Sequence, residues 1–197
     1  MKEGYSLYNN CVMMQLSDDV ITNCENFTCG NEDLDDFFMN DAKKYADELM
    51  GKTYCWITDN KPHQIVALFT LANDSIKTTH LEPYTKNKLN RPIENPKRGR
   101  SYPAALLGRI GINTEFQGKQ LGSQLLGFIK DWFRADDNKT GCRFLVVDAY
   151  NSPKTINFYK RNGFRFLHKN EDEEKQYYHI SDEIISTRLM YFDLKVK

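Results

Sequence analysis

The sequence lacks any long apolar run. No stretch approaches the roughly 18 uninterrupted apolar residues of a membrane helix. The N-terminal MKEGYSLYNNCVMMQLSDD carries no apolar core of signal-peptide length, so a soluble, cytoplasmic protein without membrane contact is expected. An excess of charge of either sign is also missing. The 27 Lys and Arg offset the 27 Asp and Glu, leaving no whole-molecule field to draw in nucleic acid or an anionic surface, although a local basic patch stays open. Cysteine is sparse and odd in number. Cys11, Cys24, Cys29, Cys55 and Cys142 include no Cys-x2-Cys pair, which excludes a zinc knuckle and fits free thiols in a reducing cytosol. His63, His80, His168 and His179 are scattered with neither metal-ligand nor nucleophile spacing, so no metal site and no Cys/His hydrolase is expected.

What is present is a composition of 40% hydrophobic and 13% aromatic residues over 197 positions, which suits one globular domain spanning 1–197. Periodicity predicts a strand over 11–16, a polar stretch over 17–28, and an amphipathic helix over 32–50. In that helix Leu34, Phe37, Phe38, Ala42, Tyr45, Ala46 and Leu49 recur at spacings of three and four, Asn31 is the expected N-cap and Gly51 the stop. Residues 53–58 and 65–71, joined by Asp59-Asn60-Lys61-Pro62, read as a hairpin. Segment 75–103 contains Pro83, Pro92, Pro96, Pro103 and the run Lys97-Arg98-Gly99-Arg100, and reads as a loop insertion. A strand over 104–112, a helix over 119–134 and a nearly all-apolar strand over 142–149 follow. Next come a helix over 152–162, framed by Pro153 and Gly163, and closing strands over 164–168 and 187–196, which the acidic, Tyr-bearing stretch 170–185 separates.

The strongest local signal is the turn Gln117-Gly118-Lys119-Gln120-Leu121-Gly122, which opens a helix directly after a strand. Unpaired N–H groups and the positive dipole end of a helix start make an anion site, glycines let a phosphate approach, and Lys119 adds charge. It is not a P-loop, which would need Gly in place of Asn113 and Ser or Thr in place of Gln120, and no Gly-x-Gly-x-x-Gly follows a strand. ATP and NAD are therefore poor candidates. Taken alone, such a turn is equally compatible with an ordinary strand-to-helix connection.

This turn resembles the coenzyme A signature of the GNAT acetyltransferases, Arg/Gln-x-x-Gly-x-Gly/Ala, with Gln117 first and Gly122 last and with Gln120 departing from the usual middle glycine. A second match, Leu145-Val146-Val147-Asp148-Ala149, then Asn151, then Asn157-Phe158-Tyr159-Lys160-Arg161-Asn162-Gly163-Phe164, is similar to that family's following strand and helix. The segment from Phe27 to Phe38 is similar to the start of the toxin-type branch, whose members acetylate aminoacyl-tRNA. The resemblance implies an α/β fold with a mixed, mostly antiparallel sheet flanked by helices, whose central strands 106–112 and 145–149 splay apart. It implies acetyl-CoA as the acetyl donor. Backbone groups of Ile110, Gly111 and Ile112 would hold its thioester arm and Gly118, Lys119, Gln120, Leu121 and Gly122 its pyrophosphate, with Gln117, Asn151 and Tyr159 completing the cofactor-binding set.

By the same resemblance an amine attacks the thioester directly, and Tyr159 stands at the position of the acid that serves the leaving sulfur. Strand 106–112 carries no Asp or Glu, which leaves Glu115 and Asp148 as candidate bases for the amine proton. The acceptor stays open between a small molecule, a peptide and aminoacyl-tRNA, as does a non-catalytic coenzyme A-binding module, and a homodimer is open as a further assembly. Lys154, Lys160, Arg161 and the run 97–100 are candidate phosphate contacts, against which the zero net charge counts. A lysine-like amine costs roughly 4.6 kcal/mol to deprotonate at pH 7 and an α-amino group only about 1 to 1.4, so a site without a strong base is expected to favour α-amines.

Overall fold

The computed structural model describes residues 5–94, 101–138, 140–181 and 184–196. The run Lys97-Arg98-Gly99-Arg100 lies outside them. In chain order the elements are α1 (Leu7–Asn10), β1 (Cys11–Gln15), α2 (Asp18–Asn23) and α3 (Glu32–Asp36), a π-helical turn (Phe37–Asp41), then α4 (Ala42–Asp47), β2 (Lys52–Thr58), β3 (Ile65–Lys77), α5 (Pro83–Asn90) and β4 (Ser101–Ile112). A 3-10 turn (Thr114–Phe116) leads into α6 (Leu121–Arg134), followed by β5 (Phe144–Tyr150), α7 (Pro153–Arg161), β6 (Arg165–Phe166), α8 (Glu171–Tyr178) and β7 (Thr187–Asp193). The strands hydrogen-bond in the order β1-β2-β3-β4-β5-β7-β6. Neighbours β1/β2, β2/β3, β5/β7 and β6/β7 are antiparallel. The parallel pairing of β4 with β5 comprises only Ala104–Phe144, Ala105–Leu145 and Leu106–Val146, although β4 runs on to Ile112 and β5 to Tyr150. Among the described residues no helix is long and apolar enough to cross a membrane.

The chain forms two compact units. The first comprises residues up to Asn73 together with Leu107–Ala135. Here β2, the first strand of the expected hairpin, presents alternate side chains to two faces. Cys55 and Ile57 enter a core with Phe27, Phe37, Phe38, Ile65 and Leu68, while Tyr54 and Trp56 meet Trp132 and Phe128 of α6 edge to face, at 4.9 and 5.0 Å between ring centroids. Asn31 caps α3 as expected, its side chain accepting from the Leu34 N–H. The expected helix 32–50 is interrupted by the π turn and ends at Asp47, and the chain leaves it through Leu49 at a left-handed φ of 57°. Gly51 is required for a different reason from helix stopping: a Cβ there would lie 2.7 Å from the Leu71 carbonyl oxygen and from the Tyr45 ring. The polar stretch 17–28 contains α2, capped by Ser17.

The second unit comprises Asp74–Leu106 and Asp136–Lys197. Ile76, Leu81, Leu89, Ala104, Phe144, Val146, Leu167 and Tyr191 form its core. Segment 75–103, expected as a loop, extends β3 to Lys77, folds α5 behind Pro83 at the first helical position, and starts β4 at Ser101. The acidic stretch 170–185 carries α8, with Asn170 as its cap. Its Glu174 is buried and accepts from the Arg188 guanidinium at 2.6 Å and from the Leu189 N–H on β7. Gly163 ends α7 at φ +82°, and a Cβ there would come within 3.0 Å of the Phe192 ring.

Candidate functional site

In the first unit the end of β4 and the start of α6 are built as one rigid turn. The Asn113 side chain donates to the Ile65 carbonyl (3.0 Å) and accepts from the Glu115 N–H (3.1 Å), which fixes the 3-10 turn. The Gln117 amide then donates to the carbonyls of Cys29 and Ile112, both at 2.9 Å, tying the turn to the loop before α3. Asp35 in turn holds that loop, accepting from the Thr28 hydroxyl at 2.6 Å and the Cys29 N–H at 2.8 Å. Burial opposes the charge of Asp35, but these hydrogen bonds outweigh it and hold its carboxyl below the ordinary range.

Past Gln117 the backbone turns left-handed twice, at Gly118 (φ 78°) and at Gln120 (φ 59°), before α6 begins. The residue that departs from the coenzyme A signature thus adopts the conformation that glycine would adopt most cheaply, at a cost of about 1–2 kcal/mol. No hydrogen bond among the described residues engages the N–H groups of Gly118, Lys119, Gln120, Leu121 or Gly122, whereas those of Ser123 and Gln124 bond to the Gln120 carbonyl. The start of α6 has no side-chain cap and no acidic residue in its first turn, so nothing in its own turn neutralises the positive dipole end. Five free amides lie around two left-handed residues, a backbone arrangement of the kind generally associated with anions. Lys119 is stationed beside it, but its ammonium bends back, donating to the Glu115 carbonyl at 3.3 Å over the rings of Phe116 and Tyr5.

Ile110, Gly111 and Ile112 lie on the last stretch of β4. Gly111 faces the core, where a Cβ would sit 3.2 Å from Cys29, Phe27 and Phe38, so its lack of a side chain serves packing. Glu115 is exposed, and its carboxylate accepts from the Gln64 amide at 3.3 Å. Sequence reasoning passed over Arg109, whose guanidinium stacks 3.4 Å over the Phe37 ring and near Tyr45. Its presence was legible, but its stacking depends on residues some seventy positions away. Between Leu106 and Ile112 the only charged side chain that β4 carries is this cation.

In the second unit Asp148 lies on β5, opposite Leu189 of β7, with its residue exposed. Even so, loss of hydration against neighbouring groups, then the charges of Asp74 and Glu174, raise its pKa above the usual carboxylate range. Asn151 commits its amide to Glu171 and to the Ile185 carbonyl, both at 3.0 Å. Tyr159, on α7, is only 5% exposed and packs edge to face against Phe158 and Phe164. Burial pushes its phenol far above the ordinary tyrosine value. Complete transfer to a thiolate, uphill by roughly 2 kcal/mol for an ordinary phenol, is therefore dearer here, and a hydrogen bond to the developing charge is what this hydroxyl can offer.

The fold matches solved structures along almost the whole chain. A Tyr-to-Phe variant of KacT aligns with a TM-score of 0.70 at 19% identity, covering 95% of this chain and 96% of that one. AtaT in complex with acetyl-methionyl-tRNAfMet aligns at 0.70 and 20%, covering 94% and 96%, and AtaTR bound with AcCoA at 0.68 and 19%, covering 95% of each. At these identities the likeness is one of fold. The sequence model of the acetyltransferase (GNAT) domain matches residues 51–166, more than half of the chain and the stretch that contains both the free amides and Tyr159, and so the chain belongs to the GNAT acetyltransferase family.

Proposed function

We propose that this protein transfers acetyl from acetyl-CoA to the α-amino group of an aminoacyl-type acceptor, with aminoacyl-tRNA as the substrate class. The observation that carries the donor half is the nest of free N–H groups from Gly118 to Gly122, which suits the pyrophosphate of coenzyme A. The acceptor half is supported by the absence of any carboxylate on β4 beyond Leu106, since such a site serves amines that deprotonate cheaply. It is supported further by the similarity in fold to AtaT, which has been captured with acetyl-methionyl-tRNAfMet.

In this reading the neutral amine attacks the thioester carbonyl carbon and the C–S bond breaks. The Tyr159 hydroxyl donates a hydrogen bond to the departing sulfur, which leaves as a thiolate and takes up a proton from solvent water to end as the thiol. The amine proton passes through water to Asp148, whose raised pKa makes it a stronger base than an ordinary aspartate. Glu115 is the weaker choice, its carboxylate already accepting from the Gln64 amide. The five free cysteines suit a reducing cytoplasm. The test is an acetyl-transfer assay with methionyl-tRNA, methionine amide and lysine side-chain peptides. The α-amines should be acetylated at least tenfold more efficiently than lysine peptides, and a preference for lysine would overturn the acceptor assignment.

A further inference from the structure

A groove of about 600 Å3 opens within the second unit, between α5 and strands β6 and β7. Its cations are Lys88, Arg91 and Arg165, and its aromatic residues include Tyr84 and Tyr191. Among the described residues the side chains of Arg91 and Arg165 make neither an ion pair nor a hydrogen bond. The lining carboxylate, Asp193, is already held by Arg143 at 2.8 Å. Lys88 donates to the Phe166 carbonyl at 3.0 Å, and burial, followed by the neighbouring charge of Arg165, pushes its ammonium below the usual lysine range. Cations gathered this way repel one another and would be relieved by a bound anion. Tyr84 stands in the groove lining 65% exposed, a flat apolar face beside the charges.

We propose that this groove binds RNA, with phosphates on Lys88, Arg91 and Arg165 and a base stacked on Tyr84. The proposal rests on the reading of the acceptor as an aminoacyl-tRNA and names a surface for the RNA part of that acceptor. It also explains how a chain with no net charge holds a polyanion: the positive charge is local. An acidic peptide would use the same cations, but the exposed tyrosine among them favours a ligand with bases to stack.

The experiment measures binding of unacylated tRNA to the full chain by fluorescence anisotropy across a salt series. The double variant Arg91→Gln/Arg165→Gln alters exposed side chains only, so the fold is retained. Its Kd should rise at least about tenfold near physiological salt, and the slope of log K against log salt should fall by roughly 1.5, as two lost phosphate contacts require. Tyr84→Ala should weaken binding severalfold with the slope unaltered. Acetyl-CoA affinity and acetylation of methionine amide should stay unchanged in both variants. An unmoved Kd and slope, or wild-type binding to polyglutamate and not to tRNA, overturns the groove. If methionine amide is acetylated and RNA binding is unmoved, the groove fails and the acceptor reading stands. If no α-amine is acetylated while the variants lose RNA binding, the acceptor reading fails and the groove stands.

Discussion

Helices α6 and α7 each follow a strand that pairs in the same parallel ladder, yet they start in opposite ways. At α7, Ser152 caps the helix by accepting from the Thr155 N–H, and Pro153 sits at the first turn, where its missing N–H costs nothing. At α6 the cap position is Gln120 in a left-handed conformation with no side-chain bond, and the amides from Gly118 to Gly122 are free. The capped start spends its donors on stability. The uncapped one leaves them free, for the ligand as proposed above, and is held by Asn113 and Gln117 instead. The division carries over to function as proposed above: binding through the backbone of α6, hydrogen bonding to the leaving sulfur through a side chain of α7.

The largest effect that would break this comparison is at Tyr159. Tyr159→Phe should lower kcat by roughly 10² or more, about 2.7 kcal/mol, with the acetyl-CoA Kd nearly unchanged in calorimetry. Normal turnover would remove α7 from the chemistry. Asp148→Asn should lower kcat/KM by about tenfold or more and abolish the acidic limb of the pH profile. The sign follows from the raised pKa: the base is active when ionised, so the rate is present above that pKa and lost as pH falls through it. The folded state already penalises this charge, so the same variant should melt slightly higher at neutral pH.

Gly122→Leu sharpens the other side. Leucine is the better helix former by nearly 1 kcal/mol, so the variant should melt no lower than wild type while the acetyl-CoA Kd rises at least about tenfold, because the side chain fills the space before the free amides. Ser152→Ala should cost about 1 kcal/mol in chemical denaturation and leave acetyl-CoA affinity alone. The smallest effect is expected of Gln120→Gly, which relieves the left-handed φ and should stabilise the protein by up to about 1 kcal/mol with affinity equal or tighter. A loss of affinity there would mean that the glutamine side chain itself holds the ligand.

Legibility from sequence tracked how local each interaction is. The frame of α7, Pro153 to Gly163, and the apolar face of α6 follow from spacing and residue type, and both are present. Helices α5 and α8 were missed because their apolar pattern is weak. What secures α8 is a buried carboxylate whose partner, Arg188, comes 14 residues later on another element. Gln117 matched the signature, but its use as a tie to Cys29, 88 residues away, belongs to the folded chain.

The sequence alone determined the succession of strands β1 to β7, the long helix α6 and helix α7, the α/β class and the turn from Gln117 to Gly122, because local periodicity, helix-terminus chemistry and a short motif act over a few residues. The tertiary structure decided which donors stay free, that Gln120 takes a glycine's conformation, that Tyr159 is buried, and that Lys88, Arg91 and Arg165 meet in one groove. Those outcomes depend on hydration lost and partners gained across long separations, and no local pattern encodes them.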